Sequence, residues 1–393
     1  MIEAPKLCCG CGICESLCPT QAIKMQIDAR GFMVPVVDSN QCINCNICNL
    51  KCPLQISKTD NTFVPQYYAA TSKELSSLKR SASGGAFYVF AKKIIENGGI
   101  VFGCILDESL NPIISHTDKV DGLKKMQGSK YVEADQKDSF AEAKSFLESN
   151  RIVLYSGAPC RIAALKKYLN KDYDTLICCE IICHGVASRQ VFRDYLDYLS
   201  KMLGGEIIDI SFRDKKKGWG NLLKVTCKKR GKILTRYFSY AESSYYYYYM
   251  TNAMYRESCY HCPFANEKRK SDITIGDFWG GRGLIASADP DLGVSAIVAS
   301  SPIGARLVNE CLERFHYVST DFETMAKENP NLLHPTEYPT EADLFWETYW
   351  SGGFDALEEL HKRTHRKSIL KGIIKRVMPY AGLKIIRKLR RIV

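Results

Sequence analysis

CCGCGICESLCP, residues 8–19, decides the reading of this chain. Cys8, Cys11 and Cys14 follow at intervals of three, and Cys18 stands directly before Pro19. The phrase returns as CINCNICNLKCP at 42–53, with Cys42, Cys45, Cys48 and Cys52 before Pro53. Three thiolates at this spacing wrap three corners of one iron–sulfur cubane, and the fourth, beyond a short turn, reaches the cubane of the other copy. The spacing therefore assigns Cys8, Cys11, Cys14 and Cys52 to one [4Fe–4S] cluster and Cys42, Cys45, Cys48 and Cys18 to a second. The prolines help end each ligand loop, and Gly10 and Gly12 leave backbone room beside the sulfides. Zinc also takes CxxC pairs, but rarely needs two such runs. Cys9 is left as a free thiol near a cluster, and the stretch from Cys18 to Cys42 has room for a strand hairpin about Gly31.

The whole chain has 393 residues, 46% hydrophobic and 25% charged, a globular composition with length for two or three domains. Its net charge of +11 is uneven: from His361 onward there are 12 Lys+Arg and no acid. The body before it is close to neutral, which excludes a general nucleic-acid field and makes any polyanion binding local. The opening residues lack a signal-peptide pattern, and no apolar run approaches the roughly 20 residues of a membrane span. A cytoplasmic protein is expected, with an option of peripheral attachment at the inner membrane face. In that compartment 18 cysteines point to metal or redox chemistry, not to a disulfide scaffold.

The expected architecture is mixed α/β: a small ferredoxin-like iron–sulfur module (1–58), a polar linker (55–66), a larger α/β body in two parts (67–150 and 151–320), and a basic amphipathic tail (361–393). Strand patterns stand at IVFGCIL (100–106), RIVLY (151–155), LICCEIIC (176–183), DITIGDF (272–278) and VSAIVAS (294–300), with helical patterns between them. Residues 321–360 are polar and weakly patterned.

Nine cysteines remain beyond the first module. Cys104, Cys178, Cys179, Cys227 and Cys311 sit in apolar patterns and read as small core residues. Cys160 starts a helix after Gly157-Ala158-Pro159, where a thiolate is favoured. Cys183 ends a strand before His184, and Cys259 and Cys262 form a CxxC. Spacing alone leaves three options for this quartet: a third iron–sulfur cluster, a zinc site, or unrelated core cysteines.

The first module resembles a bacterial two-cluster ferredoxin. In the body, SASGGAF (81–87), QGSKYVEA (127–134), YSGAPCRIAALKKYL (155–169), CHGVAS (183–188), SFRDKKKGWG (211–220), CYHCPFA (259–265) and SDITIGDFWG (271–280) occur in order. Together they resemble the beta-subunit family of coenzyme F420 hydrogenase/dehydrogenase over about residues 67–315. The resemblance implies an iron–sulfur flavoprotein that binds FAD and passes electrons between clusters and a two-electron acceptor, coenzyme F420 in methanogens and other substrates in relatives. It also implies that Cys160, Cys183, Cys259 and Cys262 hold the body's cluster.

No GxGxxG follows a strand, so a Rossmann-type FAD site has no support. Ser83-Gly84-Gly85 at a helix entry and Ser129-Lys130-Tyr131 after Gly128 offer N–H groups, hydroxyls, a cation and a ring, and the resemblance favours both near the flavin. Each also suits an ordinary turn. His184 is the candidate proton relay, with strand capping as the plain alternative. Phe212 to Lys217 with Trp219 read as a cationic rim or a solvated loop. Asp277 reads as a capping carboxylate and Trp279 as packing over the cofactor. Tyr245–Tyr249 cannot all face one side of a helix, so some must enter the core.

In the tail, Ile369, Leu370, Ile373, Ile374 and Val377 form one stripe amid lysines, and Ile385, Ile386, Leu389, Ile392 and Val393 a second after Pro379. Such a helix lies on an anionic membrane, docks a partner protein, or packs on its own body.

The expected function is an iron–sulfur flavoprotein oxidoreductase acting with a ferredoxin or other redox protein on an unidentified small molecule. The rival is a non-catalytic electron-transfer or assembly subunit held at a membrane-side complex by its tail. No nucleic acid is expected, and homo-oligomerisation stays open.

Overall fold

The computed structural model describes residues 7–55, 62–378 and 382. The core of the linker (56–61), the first six residues and the second apolar stripe of the tail lie outside the described residues.

The strands are β1 (Ile23–Ile27), β2 (Met33–Val37), β3 (Gln66–Ser72), β4 (Ile100–Leu106), β5 (Pro112–Thr117), β6 (Val153–Gly157), β7 (Leu176–Ile181), β8 (Glu206–Ser211), β9 (Leu222–Lys229), β10 (Lys232–Ser239), β11 (Ile273–Asp277), β12 (Ser295–Ala299) and β13 (Phe315–Thr320). β1 and β2 form the hairpin of the ferredoxin-like region. Gly31, at its turn, has φ +79°, the left-handed region that favours glycine. The body is built on an eight-stranded sheet ordered β13-β3-β12-β11-β7-β6-β4-β5. Its centre, β4-β6-β7-β11, is parallel, and antiparallel strands close both sides. β8, β9 and β10 make a separate antiparallel sheet.

The apolar runs of β4, β6 and β7 are continuous because both sheet faces are covered. The helices Ala86–Glu96 and Pro302–Cys311 share one buried cluster with Ile177, Ile273 and Ile297. Ser139–Glu148 and Pro159–Leu169 share another with Phe102, Val153 and Tyr155. Cys9, Cys11 and Ile13 belong to that second cluster, so the first cysteine repeat is part of the body's core.

Residues 321–360 differ from their polar reading. Glu341–Thr364 is a helix with non-helical backbone at Gly352 and Gly353. Phe345, Trp346, Phe354 and Leu357 are buried in the core that the tyrosine run also fills. The glycine break hid one apolar face behind two half-patterns. The tail differs as well: residues 361–364 finish this helix with His361 fully buried, and the next helix, Arg366–Val377, packs on β10. There Gly372 meets Ser239 and Arg376 pairs with Glu242 at 2.9 Å. Its first stripe divides: Leu370, Ile374 and Val377 point outward. Among the described residues no helix is long and apolar enough to cross a membrane.

Candidate functional site

Two cavities open between the cysteine repeats. One is lined by Cys8, Cys11, Cys14 and Cys52, together with Cys9, Cys48, Met25, Pro35 and Leu54. The other is lined by Cys18, Cys42, Cys45 and Cys48, with Ile23, Val37 and Ile43. Each holds three cysteines of one repeat and the last cysteine of the other, and Cys48 borders both cavities. Electrostatics follows the same neighbours: Cys52 weighs on Cys8, Cys8 and more weakly Cys48 on Cys14, and Cys45 and Cys18 on Cys48. Burial, with Cys8 next, pushes the Cys14 thiol up to about 12. All-sulfur donors around an apolar pocket suit a four-iron cluster, whose thiolates are relieved of mutual repulsion by iron.

Cys160 lies in the first turn of the helix Pro159–Leu169, Cys183 just past β7, and Cys259 and Cys262 on the turn at Glu257–Cys259 and after it. The fold brings all four into one electrostatic neighbourhood. Burial and then Cys259, Cys160 and Cys262 raise Cys183. Burial raises Cys259 to about 12 and Cys262 to about 11, with Cys160 contributing to both. Among the described residues no three His, Cys, Asp or Glu side chains draw close enough to hold a single metal ion. Cys178, Cys179, Cys227 and Cys311 are buried core thiols, as their apolar contexts imply. Cys9 is different: Cys11 raises its thiol's pKa and Cys160 opposes that rise, while burial pushes it further up.

The ends of β6, β7 and β11 carry Cys160, Cys183-His184 and Asp277 to one side of the parallel sheet, the side where open α/β sheets bind ligands. Arg213 is not on an open rim. It is buried, at φ +69°, and grips Asp277 with two bonds of 2.8 and 3.0 Å. The Trp219 Nε1–H donates to the same carboxylate at 2.8 Å, and Trp219 stacks on Trp279 at 5.2 Å. Arg213 lies over Trp279 and donates to the Tyr131 hydroxyl. Asp277 is therefore a pairing carboxylate that joins segments 211–220 and 271–280, and Arg213 extends the link to Tyr131.

Gly84 allows close backbone approach, since a Cβ there would stand 2.2 Å from the Ala70 carbonyl. Gly85 has φ +86° and begins the helix Ala86–Glu96. The Ser83 hydroxyl donates to Val294 O at 2.6 Å. The Lys130 ammonium is engaged by the carbonyls of Lys125, Gln127 and Gly128, which shape its turn, and burial lowers its pKa to about 8. Tyr131 stacks on Tyr249 at 4.2 Å; Ser129 beside it is half-buried. His184 is accessible, yet the surrounding protein lowers its pKa, with Asp277 opposing and Arg213 assisting.

Sequence reasoning missed Glu133, Arg161 and Arg256. Glu133 is fully buried and accepts from Arg256 at 2.6 Å and Arg161 at 3.3 Å. The signal was present: charges set among apolar residues, in KYVEA, APCRIAAL and AMYRESC.

Cysteine-lined cavities beside a mixed sheet with its ligand face at the parallel strand ends define an iron–sulfur electron-transfer protein. Residues 7–56 match the family model of the 4Fe-4S dicluster domain. Residues 150–324 match the family model for the C terminus of the coenzyme F420 hydrogenase/dehydrogenase beta subunit. The chain thus carries an N-terminal 4Fe-4S dicluster domain and, over 150–324, a domain similar to the C terminus of the F420 hydrogenase/dehydrogenase beta subunit. A chain of the F420-reducing [NiFe] hydrogenase complex from Methanosarcina barkeri, solved as a xenon derivative, is 15% identical. The match has a TM-score of 0.44 and covers 80% of this chain and 95% of that one. No curated protein matches the chain.

Proposed function

We propose that the chain is an FAD-dependent iron–sulfur oxidoreductase whose body holds a third [4Fe–4S] cluster on Cys160, Cys183, Cys259 and Cys262. The observation that carries this reading is the convergence of these four thiols, from three separate segments, beside Cys9 of the first module. When bound, clusters carry single electrons and a flavin couples them to two-electron chemistry. The chain's own residues set the order of sites. Cys45 is exposed, Cys11 is buried against the body, and the Cys160 quartet follows.

Ser83, Gly84, Gly85, Ser129 and Tyr131 are the proposed flavin neighbours, supported by the meeting of their segments at Arg213 and Asp277. Lys130 serves there by holding the turn. His184, kept neutral near pH 7 by its lowered pKa, is the proposed proton relay to a two-electron substrate of the coenzyme F420 kind or another. A ferredoxin or similar redox protein meets the outer cysteine repeat, where Ile43 and Leu50 are exposed. The outward stripe Leu370, Ile374 and Val377, beside Lys367, Lys371 and Lys375, is proposed to rest on an anionic membrane face, since the tail carries 12 cations and no acid.

Anaerobic purification with iron, sulfide and flavin analysis tests the main reading: about 12 iron atoms and one FAD per chain are expected. Eight iron atoms and no flavin would sink it and leave a ferredoxin-like adaptor. Cys160→Ala should remove about four iron atoms; an unchanged iron count refutes the body site. Sedimentation with phosphatidylglycerol vesicles should be lost in Leu370→Glu/Ile374→Glu, and equal binding by the variant refutes the membrane contact.

A further inference from the structure

The first module meets the body through a buried ion triad that no motif announces. Glu133 stands at its centre with a fully buried side chain, and the side chains of Arg256 and Arg161 are 5% and 8% exposed. Both arginines also donate to backbone carbonyls of the first module. Arg256 donates to Cys8 O at 3.1 Å and Met33 O at 2.9 Å, and Arg161 donates to Gly10 O. Glu133 also accepts from Met33 N at 3.1 Å. The approach is close enough that a Cβ on Gly10 would stand 2.5 Å from the Glu133 carboxylate and 2.6 Å from the Arg256 guanidinium. Beside the triad, sulfur contacts run from Cys11 through Cys9 to Cys160.

This triad leaves one net positive charge, walled off from water, next to the Cys8 side of the inner cavity. Both arginines lower the Cys8 thiol's pKa against the rise that burial causes. A four-iron cluster gains a negative charge on reduction. Burial without countercharge therefore lowers its potential, and a nearby fixed cation raises it. Among the described residues, no charged side chain lines the outer cavity; burial and hydrogen bonding from nearby backbone and from Thr20 act on Cys18 and Cys48, with neighbouring cysteine charge on Cys48.

We propose that the Arg161–Glu133–Arg256 triad is a charge-setting device, which holds up the reduction potential of the inner N-terminal cluster at the junction with the body. It acts on the cluster through position and charge, so these are positioning residues. The inference rests on the cluster assignment to Cys8, Cys11, Cys14 and Cys52 and not on FAD or a body cluster.

The test is EPR-monitored redox potentiometry on the anaerobically purified full chain, with iron analysis alongside. Arg256→Gln should lower the inner midpoint by about 59 mV or more, a tenfold change in the one-electron equilibrium constant. Glu133→Gln, which removes the negative partner, should shift it the opposite way. Arg256→Lys keeps the charge and should restore most of the wild-type value. The outer midpoint should stay fixed in all three. Shifts of the same sign in Arg256→Gln and Glu133→Gln, equal shifts in the Lys and Gln variants, or no shift at full iron content would each overturn the proposal. If Arg256→Gln loses iron, Glu133→Gln still decides it by the upward sign of its shift, and Arg256→Lys by a midpoint near the wild-type value. A wild-type chain with eight iron atoms and no flavin would defeat the proposed function while leaving these shifts measurable.

Discussion

The two cysteine repeats have nearly the same sequence phrase and the same backbone, but opposite surroundings. Gly10 and Gly12 have φ of +63° and +74°, and their counterparts Asn44 and Asn46 have +55° and +59°. Both pairs turn the ligand loop through the left-handed region, which glycine and asparagine tolerate best. The first loop is buried: Cys9 is 9% and Ile13 1% exposed. In the second, Ile43, the counterpart of Cys9, is 62% exposed. One ligand pattern thus serves two tasks. The outer copy faces solvent, and the inner copy is built into the body.

The contrast can be broken at several points. Replacing a ligand in either repeat should remove about four iron atoms, but the consequences should part. Cys11→Ala should also lower the thermal midpoint strongly, because it opens the core shared with Phe102 and Tyr155. Cys45→Ala should leave that midpoint nearly unchanged. Iron analysis with a melting curve separates them, and equal destabilisation would show that burial is not what divides the repeats. Next in size, Glu133→Ala strands two buried arginines and should cost about 3–5 kcal/mol in a denaturant titration.

Gly10→Ala comes third. An L-residue at that φ costs about 1–2 kcal/mol, and the Glu133 and Arg256 side chains must also move. Asn44→Gly in the outer repeat should change stability by less than about 0.5 kcal/mol. The smallest effect on folding is expected for Ile43→Glu, within about 0.5 kcal/mol, while electron exchange with a ferredoxin slows in stopped flow. An unaltered rate would place the partner elsewhere.

Much of this contrast was invisible in the motif. CxxCxxCxxxCP states which thiols share a cavity, because ligand reach over a few residues is local geometry. The parallel strands were legible for a similar reason: continuous apolar runs such as LICCEI of β7 declare burial on both faces. Other features depend on distant partners. The helix Glu341–Thr364 is hard to see in the sequence because Gly352 and Gly353 split its apolar face. Arg213 resembles a rim cation because nothing local announces Asp277, 64 residues away. Lys130 resembles a phosphate ligand until its ammonium is placed on three carbonyls of its own turn. The basic helix Arg366–Val377 carries an amphipathic pattern that fits a membrane and a body equally well, and contact with β10 settles only its inner side.

The sequence by itself determined the iron–sulfur chemistry and the α/β class, since each is written in short-range spacing and periodicity. Only the tertiary structure decided which repeat is buried, that Cys9 lies between Cys11 and Cys160, and that Glu133 binds two arginines across the junction. Those facts depend on side chains from distant parts of the chain meeting in a space closed to water, where an unpaired charge is too costly to keep.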